Sequence, residues 1–264
     1  MLINVLVYPF AVDYISYNMV EDIAVLSIDT KTRYNLVNMK FMHELIDLLD
    51  TFSREPKVRF LVIRGEKDNL GSGADINELK NASAQREYAQ AFFGLMKEMF
   101  NRLMNYNKIL IGYVNGVAYG ASMELLLVMD YVIATSTAKF AAPGAKLGVF
   151  PPVLVTVGPD RLGWEWTRRL AFEGQEIDAK TALTIGLVNE VSDEPFQAAV
   201  QSAAKRFRQM APSSLASMRR VLYLRYKDLL AQAFNALIDQ VLTMEAQEGI
   251  YSWFARAKPS WATP

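Results

Sequence analysis

Two glycine-marked turns and one glutamate hold most of the chemistry that can be read from this chain. The turns are Gly71-Ser72-Gly73-Ala74-Asp75 and Gly116-Val117-Ala118-Tyr119-Gly120-Ala121-Ser122-Met123-Glu124. Each follows a short apolar run, Val58 to Ile63 and then Ile109 to Val114, that reads as a buried strand. Small residues at a strand end leave backbone N–H groups uncovered, and a helix N-terminus adds the positive end of its dipole. Two such turns aimed at one carbonyl oxygen would make a two-donor oxyanion hole, which stabilises an enolate. Glu124 lies one helical turn beyond the second turn and is followed by Leu125-Leu126-Leu127-Val128-Met129. Apolar surroundings raise a carboxyl pKa, and a carboxylate tuned toward neutrality can move protons.

The elements that must position these groups follow an α/β pattern. Val12 to Tyr17 and Ala24 to Ile28 read as strands around a Glu21-Asp22 turn. Asn38 reads as the N-cap of a helix whose Phe41, Leu45, Leu48, Leu49 and Phe52 share one stripe. The strand at 58–63 is followed by a long loop, a helix from Gln85 to Met104, the strand at 109–114 and a helical pattern from Glu124 to Asp130. Strand, glycine turn and helix recur, a weak internal repeat. After Asn189 the pattern is helical alone, with Pro195 and Pro212 at expected first turns. There, Leu230, Phe234, Leu237, Ile238, Val241 and Leu242 form a long amphipathic face.

With these strings stand Arg33-Tyr34-Asn35-Leu36-Val37-Asn38, Asn115-Gly116 with Glu124 and Asp130, and Lys139-Phe140-Ala141-Ala142-Pro143 with Leu147-Gly148-Val149. Ile177-Asp178-Ala179, Gly186-Leu187-Val188-Asn189-Glu190 and Lys258-Pro259 complete the set. In this order they resemble the crotonase, or enoyl-CoA hydratase/isomerase, superfamily over nearly all of residues 12 to 259. The resemblance implies a spiral of ββα turns rather than a Rossmann sheet. It implies a core with the acyl-CoA site over 1–190 and a C-terminal helical oligomerisation region over 191–264, giving a homotrimer or a dimer of trimers.

It also implies roles. The oxyanion donors fall on the N–H groups of Ala74 and Ala121, beside Gly73 and Gly120. Tyr34, Leu36 and Ile76 fall where relatives hold the nucleotide and pantetheine arm of coenzyme A. Arg256 and Lys258 fall where a neighbouring subunit's tail reaches the phosphates. Coenzyme A enters as part of the substrate, and no separate cofactor is expected. Glu124 matches one of the two carboxylates that hold the added water in hydratases. The second should directly follow Pro143, where this chain has Gly144, so the substrate-contacting pair Pro143-Gly144 departs from the hydratase pattern. Isomerases commonly use that second position too. Decarboxylases often lack it, but Val149-Phe150-Pro151-Pro152 contains no tyrosine of the kind they carry. Hydration of a 2-enoyl-CoA is the first expectation, with isomerisation, decarboxylation and a non-catalytic acyl-CoA-binding role as its alternatives, and Glu66, Asp68, Lys146 or Asp160 could approach the site.

Composition narrows the classes. The chain has 264 residues, 52% of them hydrophobic, enough for a large core. Lys and Arg balance Asp and Glu at 28 each, so no global field favours nucleic acid or an anionic membrane. Lys205-Arg206-Phe207-Arg208 and Arg219-Arg220 read as solvated helix faces. The absence of cysteine excludes disulfides and thiolate chemistry and fits a cytoplasmic protein. Met1 to Val12 is apolar but reads as an added strand or a subunit contact rather than a membrane span. No GxGxxG fingerprint supports a dinucleotide. Gly120-Ala121-Ser122-Met123 looks like the nucleophile turn of Clp peptidases, but the single histidine, His43, lies upstream on a helix and leaves Ser122 without a base. One histidine and no cysteine also leave no metal-ligand spacing.

Overall fold

Residues 13–262 are described by a computed structural model of the chain; the opening segment assigned above to a strand or subunit contact lies outside them. β1 (Ile15–Val20) and β2 (Ile23–Ile28) pair antiparallel across the Glu21–Asp22 turn. Asn38 caps α1 (Met39–Arg54) by accepting from the Phe41 N–H at 2.9 Å, and its apolar stripe is buried. The chain then enters β3 (Phe60–Gly65), two residues later than the apolar run alone suggested. The loop expected next holds a helix, α2 (Ile76–Ala84), because Asp75 caps it by accepting from the Asn77 N–H. α3 (Arg86–Met104) leads to β4 (Ile109–Val114), the short β5 (Val117–Tyr119) and α4 (Ala121–Leu126).

α4 begins at Ala121 and ends at Leu126, so the expected helix from Glu124 to Asp130 is displaced toward the turn. β6 (Tyr131–Ala134), β7 (Lys139–Ala141) and a 3-10 turn at Pro143–Leu147 follow. Next come α5 (Pro152–Arg161), α6 (Trp164–Arg168), β8 (Ile177–Asp178), α7 (Ala179–Thr184) and β9 (Glu190–Val191). β9 adds a two-residue strand where helices alone were expected, since Asn189 bonds the Val132 backbone and draws the chain alongside β6. α8 (Phe196–Phe207), α9 (Pro212–Leu224), α10 (Lys227–Val241) and α11 (Met244–Ala255) close the chain.

The strands form two layers. The main sheet runs β1-β2-β3-β4-β6-β9 and is parallel from β2 onward. The smaller sheet, β5-β7-β8, is continued by isolated bridges between Val37 and Ala74 and between Gly71 and Ala118. Each excursion of the chain therefore lays a long strand in one layer, a short extended segment in the other, and a helix outside. This is the ββα spiral. Because Phe60 is in register with Ile109, β3 and β4 end at the same edge, and the two glycine turns emerge side by side.

β2 and β4 are buried at every position, as expected for parallel strands covered on both faces. On one side α8 lays Ala199, Val200, Ala203 and Ala204 against Ile23, Val25, Phe60, Val62 and Ile111. The other side belongs to the main core, to which α1, α3, α5 and α10 contribute.

Of the Arg219-Arg220 pair expected on a solvated face, Arg220 is exposed and Arg219 is not. Arg219 is 3% exposed, and its guanidinium donates to the Tyr106 carbonyl at 3.0 Å, to the Leu103 carbonyl at 2.7 Å and to Asp130. Asp130 also accepts from the Leu110 N–H at 2.8 Å. The pair thus ties α9 to the end of α3 and the start of β4. Removing one partner strands the other in the core. Asp130→Ala is expected to cost about 3–5 kcal/mol of stability, measured by denaturant unfolding; a loss below about 1 kcal/mol would mean the pair is solvated, as surface pairs of that strength are.

Candidate active site

The two turns meet backbone to backbone. Gly73 takes φ +97° and Gly120 φ +50°, conformations that side chains rarely adopt. A Cβ on Gly73 would stand 3.0 Å from the Tyr119 carbonyl oxygen and 3.3 Å from the Ala121 nitrogen, so the approach needs glycine. Ser122, whose sequence setting suggested a nucleophile, instead ties the turns together. Its buried Oγ accepts from the Gly73 N–H at 3.3 Å, while His43 is exposed on α1.

Neighbouring backbone bonds isolate two donors. The Gly73 carbonyl accepts from Val37, and the Asp75 N–H donates to the Val37 carbonyl; the Ala74 N–H lies between them. Ala121 is the first residue of α4, where the helix ladder offers an N–H no acceptor. Among the described residues neither N–H donates to a protein acceptor. Both alanines line a cavity of about 110 Å³ that also holds Gly73, Gly120 and Glu124.

Glu124 is buried, and its Oε1 accepts from the Val153 N–H at 2.7 Å and the Leu154 N–H at 2.9 Å. These are orphan donors at the start of α5, where Pro151 supplies no side-chain cap and Pro152 has no N–H. Burial pushes the Glu124 pKa up to about 7, against the pull of the two N–H bonds toward the ionised form. From the other end of α5, Arg161 donates to the Leu127 and Met129 carbonyls at 2.9 and 2.8 Å, holding the chain where α4 stops. α4 and α5 are thus joined at both ends: the acid at one N-terminus, the guanidinium at the carbonyls behind the other helix.

Pro143 and Gly144 form part of the cavity wall, with Val149 and Phe150, and Phe93, Met96 and Leu237 also line it. Glu124 is the only ionisable side chain among the lining residues. A second cavity of about 720 Å³ shares Ser72, Ala74, Pro143 and Leu147 with the first. Tyr34, Leu36 and Ile76 line it, as do Lys146, Trp253 and Phe254. Arg33, which sequence reasoning missed as a site residue, also lines it, with its guanidinium 4.9 Å from the centre of the Tyr34 ring.

Arg256 and Lys258 are exposed beyond α11 and line neither cavity. Asp160 is engaged by the Tyr226 hydroxyl and Arg225, and Glu66 accepts from Ser16; neither they nor Asp68 line the site. Val153 and Leu154 were also missed, although the Pro151-Pro152 pair signals a helix start. No group of three His, Cys, Asp or Glu among the described residues is placed to hold a metal ion, and no described helix is long and apolar enough to cross a membrane.

The two-layer spiral is the crotonase fold. It superposes on an enoyl-CoA hydratase from Bacillus halodurans with a TM-score of 0.81, covering 91% of this chain and 100% of that one at 19% identity. A methylmalonyl-CoA decarboxylase in complex with 2-nitronate-propionyl-CoA gives a TM-score of 0.83 over 96% of this chain and 100% of that one at 21% identity. At such identities these structures attest the fold alone. The family follows from sequence: the Enoyl-CoA hydratase/isomerase family model matches residues 18–264, and the chain belongs to that family of acyl-CoA enzymes. It is 28% identical over 250 residues to the 2,3-dehydroadipyl-CoA hydratase of Escherichia coli (strain K12), covering 90% of this chain and 94% of the relative. It is 35% identical over 173 residues to a crotonyl-CoA hydratase of Syntrophomonas wolfei, covering 65% and 66%.

The raised pKa of Glu124 has a stability consequence of definite sign. The fold favours the protonated carboxyl, so its contribution worsens as pH rises from the ordinary value of 4.5 to about 7. Glu124→Gln removes that charge. The variant is expected to gain up to about 3 kcal/mol over the parent at pH 8 relative to acid pH, most of it gone by pH 5. Paired denaturant titrations at the two pH values measure this, and a gap that does not change with pH would show that Glu124 titrates normally.

Proposed function

We propose that this protein hydrates a 2-enoyl-CoA, with Glu124 as its one acid–base group. The observation that carries the reading is the solitary Glu124 carboxylate in the same small cavity as the unbonded N–H groups of Ala74 and Ala121. The thioester oxygen accepts from the two N–H groups. Glu124 takes a proton from a water whose oxygen bonds to C3, and the electron pair of the double bond moves onto the thioester oxygen as an enolate. Glu124 then returns the proton to C2 as the thioester carbonyl re-forms. Both Glu124–protein bonds fall on Oε1, which leaves Oε2 for the water. Tyr34, Leu36 and Ile76 take the coenzyme A arm in the outer cavity, with Arg33 and Lys146 supplying positive charge near its phosphates. Arg256 and Lys258 contribute from a second copy in a trimer or a dimer of trimers, and the enzyme works in the cytoplasm.

A second reading has its own support. Apart from Glu124, most of the lining side chains are apolar. Such a wall suits a proton shift without water, in which Glu124 takes a proton from C2 of a 3-enoyl-CoA and returns it to C4. Assays with crotonyl-CoA and a 3-enoyl-CoA separate the two. Turnover of crotonyl-CoA to the 3-hydroxy thioester supports hydration, and turnover of the 3-enoyl substrate alone replaces it with isomerisation. Turnover of neither leaves decarboxylation or a binding role.

Glu124→Gln is expected to lower kcat by about 100-fold or more while changing coenzyme A affinity little. In the parent, kcat/KM should rise with pH through about 7 as the carboxylate forms. Undiminished turnover in the variant removes Glu124 from the reaction. Gly144→Glu tests the departure on the other wall. A Cβ there meets the Val149 carbonyl oxygen at 3.2 Å, tight but without a left-handed backbone. A carboxylate grafted there should raise hydration measurably, since a positioned acid–base group contributes roughly 100-fold or more; no gain over a slow parent would show that Gly144 is not the vacant partner position.

A further inference from the structure

The inner cavity has an end as well as a mouth. Its mouth opens at Ser72, Ala74, Pro143 and Leu147, which it shares with the outer cavity. Leu79, Phe93, Met96 and Leu237 line it without lining the outer cavity, and each is 5% exposed or less. Phe93 and Met96 come from one face of α3, and Leu237 from α10, which packs against α3. The wall is backed rather than free to swing aside. The ring of Phe92 meets that of Phe93 edge-on with centroids 5.1 Å apart, and Gln240 on α10 donates to the Gly148 carbonyl at 2.8 Å, anchoring the helix to the site loop.

Size and charge together select the acyl group. The inner cavity holds about 110 Å³ against about 720 Å³ for the outer one, so its closed end suits a short tail rather than a long one. Among the described residues no cation lines the inner cavity; Arg33 and Lys146 lie in the outer one. A second carboxylate carried inward on the acyl tail would lose its water without gaining a partner, and the only charge it would meet is Glu124.

We propose that Phe93, Met96 and Leu237 form the closed end of the acyl pocket and confine this protein to short, uncharged acyl groups, excluding tails that end in a carboxylate. The proposal rests on the reading of Ala74, Ala121 and Glu124 as the reacting centre. It separates this chain from its 28% identical relative, whose name specifies a dehydroadipyl thioester.

Binding tests the pocket independently of the reaction. Calorimetry on the full chain with butyryl-, hexanoyl-, decanoyl- and adipyl-CoA compares tails on one common handle. Butyryl- or hexanoyl-CoA should bind at least about 10-fold tighter than decanoyl- and adipyl-CoA, the scale at which a misfitting tail is rejected. Met96→Ala and the milder Phe93→Leu should narrow the gap for decanoyl-CoA but not for adipyl-CoA, because the enlarged end is still apolar. Equal affinity for butyryl- and decanoyl-CoA, or for butyryl- and adipyl-CoA, in the parent overturns the proposal. So does a decanoyl gap that survives in both folded variants. If crotonyl-CoA is not hydrated while this tail preference holds, the reaction assignment fails and the pocket assignment stands.

Discussion

The burial of one carboxylate at the start of one helix is the constraint on which the rest of the site depends. Glu124 sits among apolar side chains, where an unpaired charge is expensive. The two N–H groups of Val153 and Leu154 and the dipole of α5 offset part of that cost, leaving the carboxyl able to exist in either protonation state near neutral pH. The same contact fixes geometry. α5 can begin only where Pro151-Pro152 turn the chain toward Glu124, and α4 must stop where Arg161 gathers its trailing carbonyls. Acid, helix start and guanidinium form one closed arrangement.

The glycine turns depend on the layers in the same way. Parallel pairing of β3 with β4 in register brings both turns to one edge, and the short segments of the second layer hold them there through bridges to Val37 and Ala118. Ser122 completes the join by accepting from Gly73. Positive φ at Gly73 and Gly120 then turns the following residues, both alanines, inward toward the cavity they line. In the proposed reaction it is the backbone of Ala74 and Ala121 that acts, so alanine serves where only an N–H is needed.

Local signals were legible and long-range ones were not. Asn38 as an N-cap, the strand at 109–114 and Pro212 at a helix start could be read because each is decided within a few residues. α2 was hidden because Asp75 was read as the end of a glycine turn although its side chain caps a helix. Arg219 was read as solvated because its partner, Asp130, is distant in sequence and nothing in Arg219-Arg220 announces it. The apolar setting of Glu124 could be anticipated from the leucines after it, but its hydrogen-bond partners on α5 could not. Arg256 and Lys258 were assigned to a neighbouring subunit's site, and in their own chain they line neither cavity.

The exposed apolar side chains of α9 and α11, among them Val221, Leu222, Trp253 and Phe254, are of the kind that assembly covers. Trp253 and Phe254 also line the outer cavity, so association would act on the proposed coenzyme A site as well as on stability. The central claim concerns the inner cavity and is open to direct observation. A crystal structure with bound butyryl-CoA should place the thioester oxygen about 2.7–3.1 Å from the backbone nitrogens of both Ala74 and Ala121, with Glu124 beside C2 and C3. An oxygen bonded to neither nitrogen, or an acyl group lying outside the cavity that holds Glu124, would contradict the account.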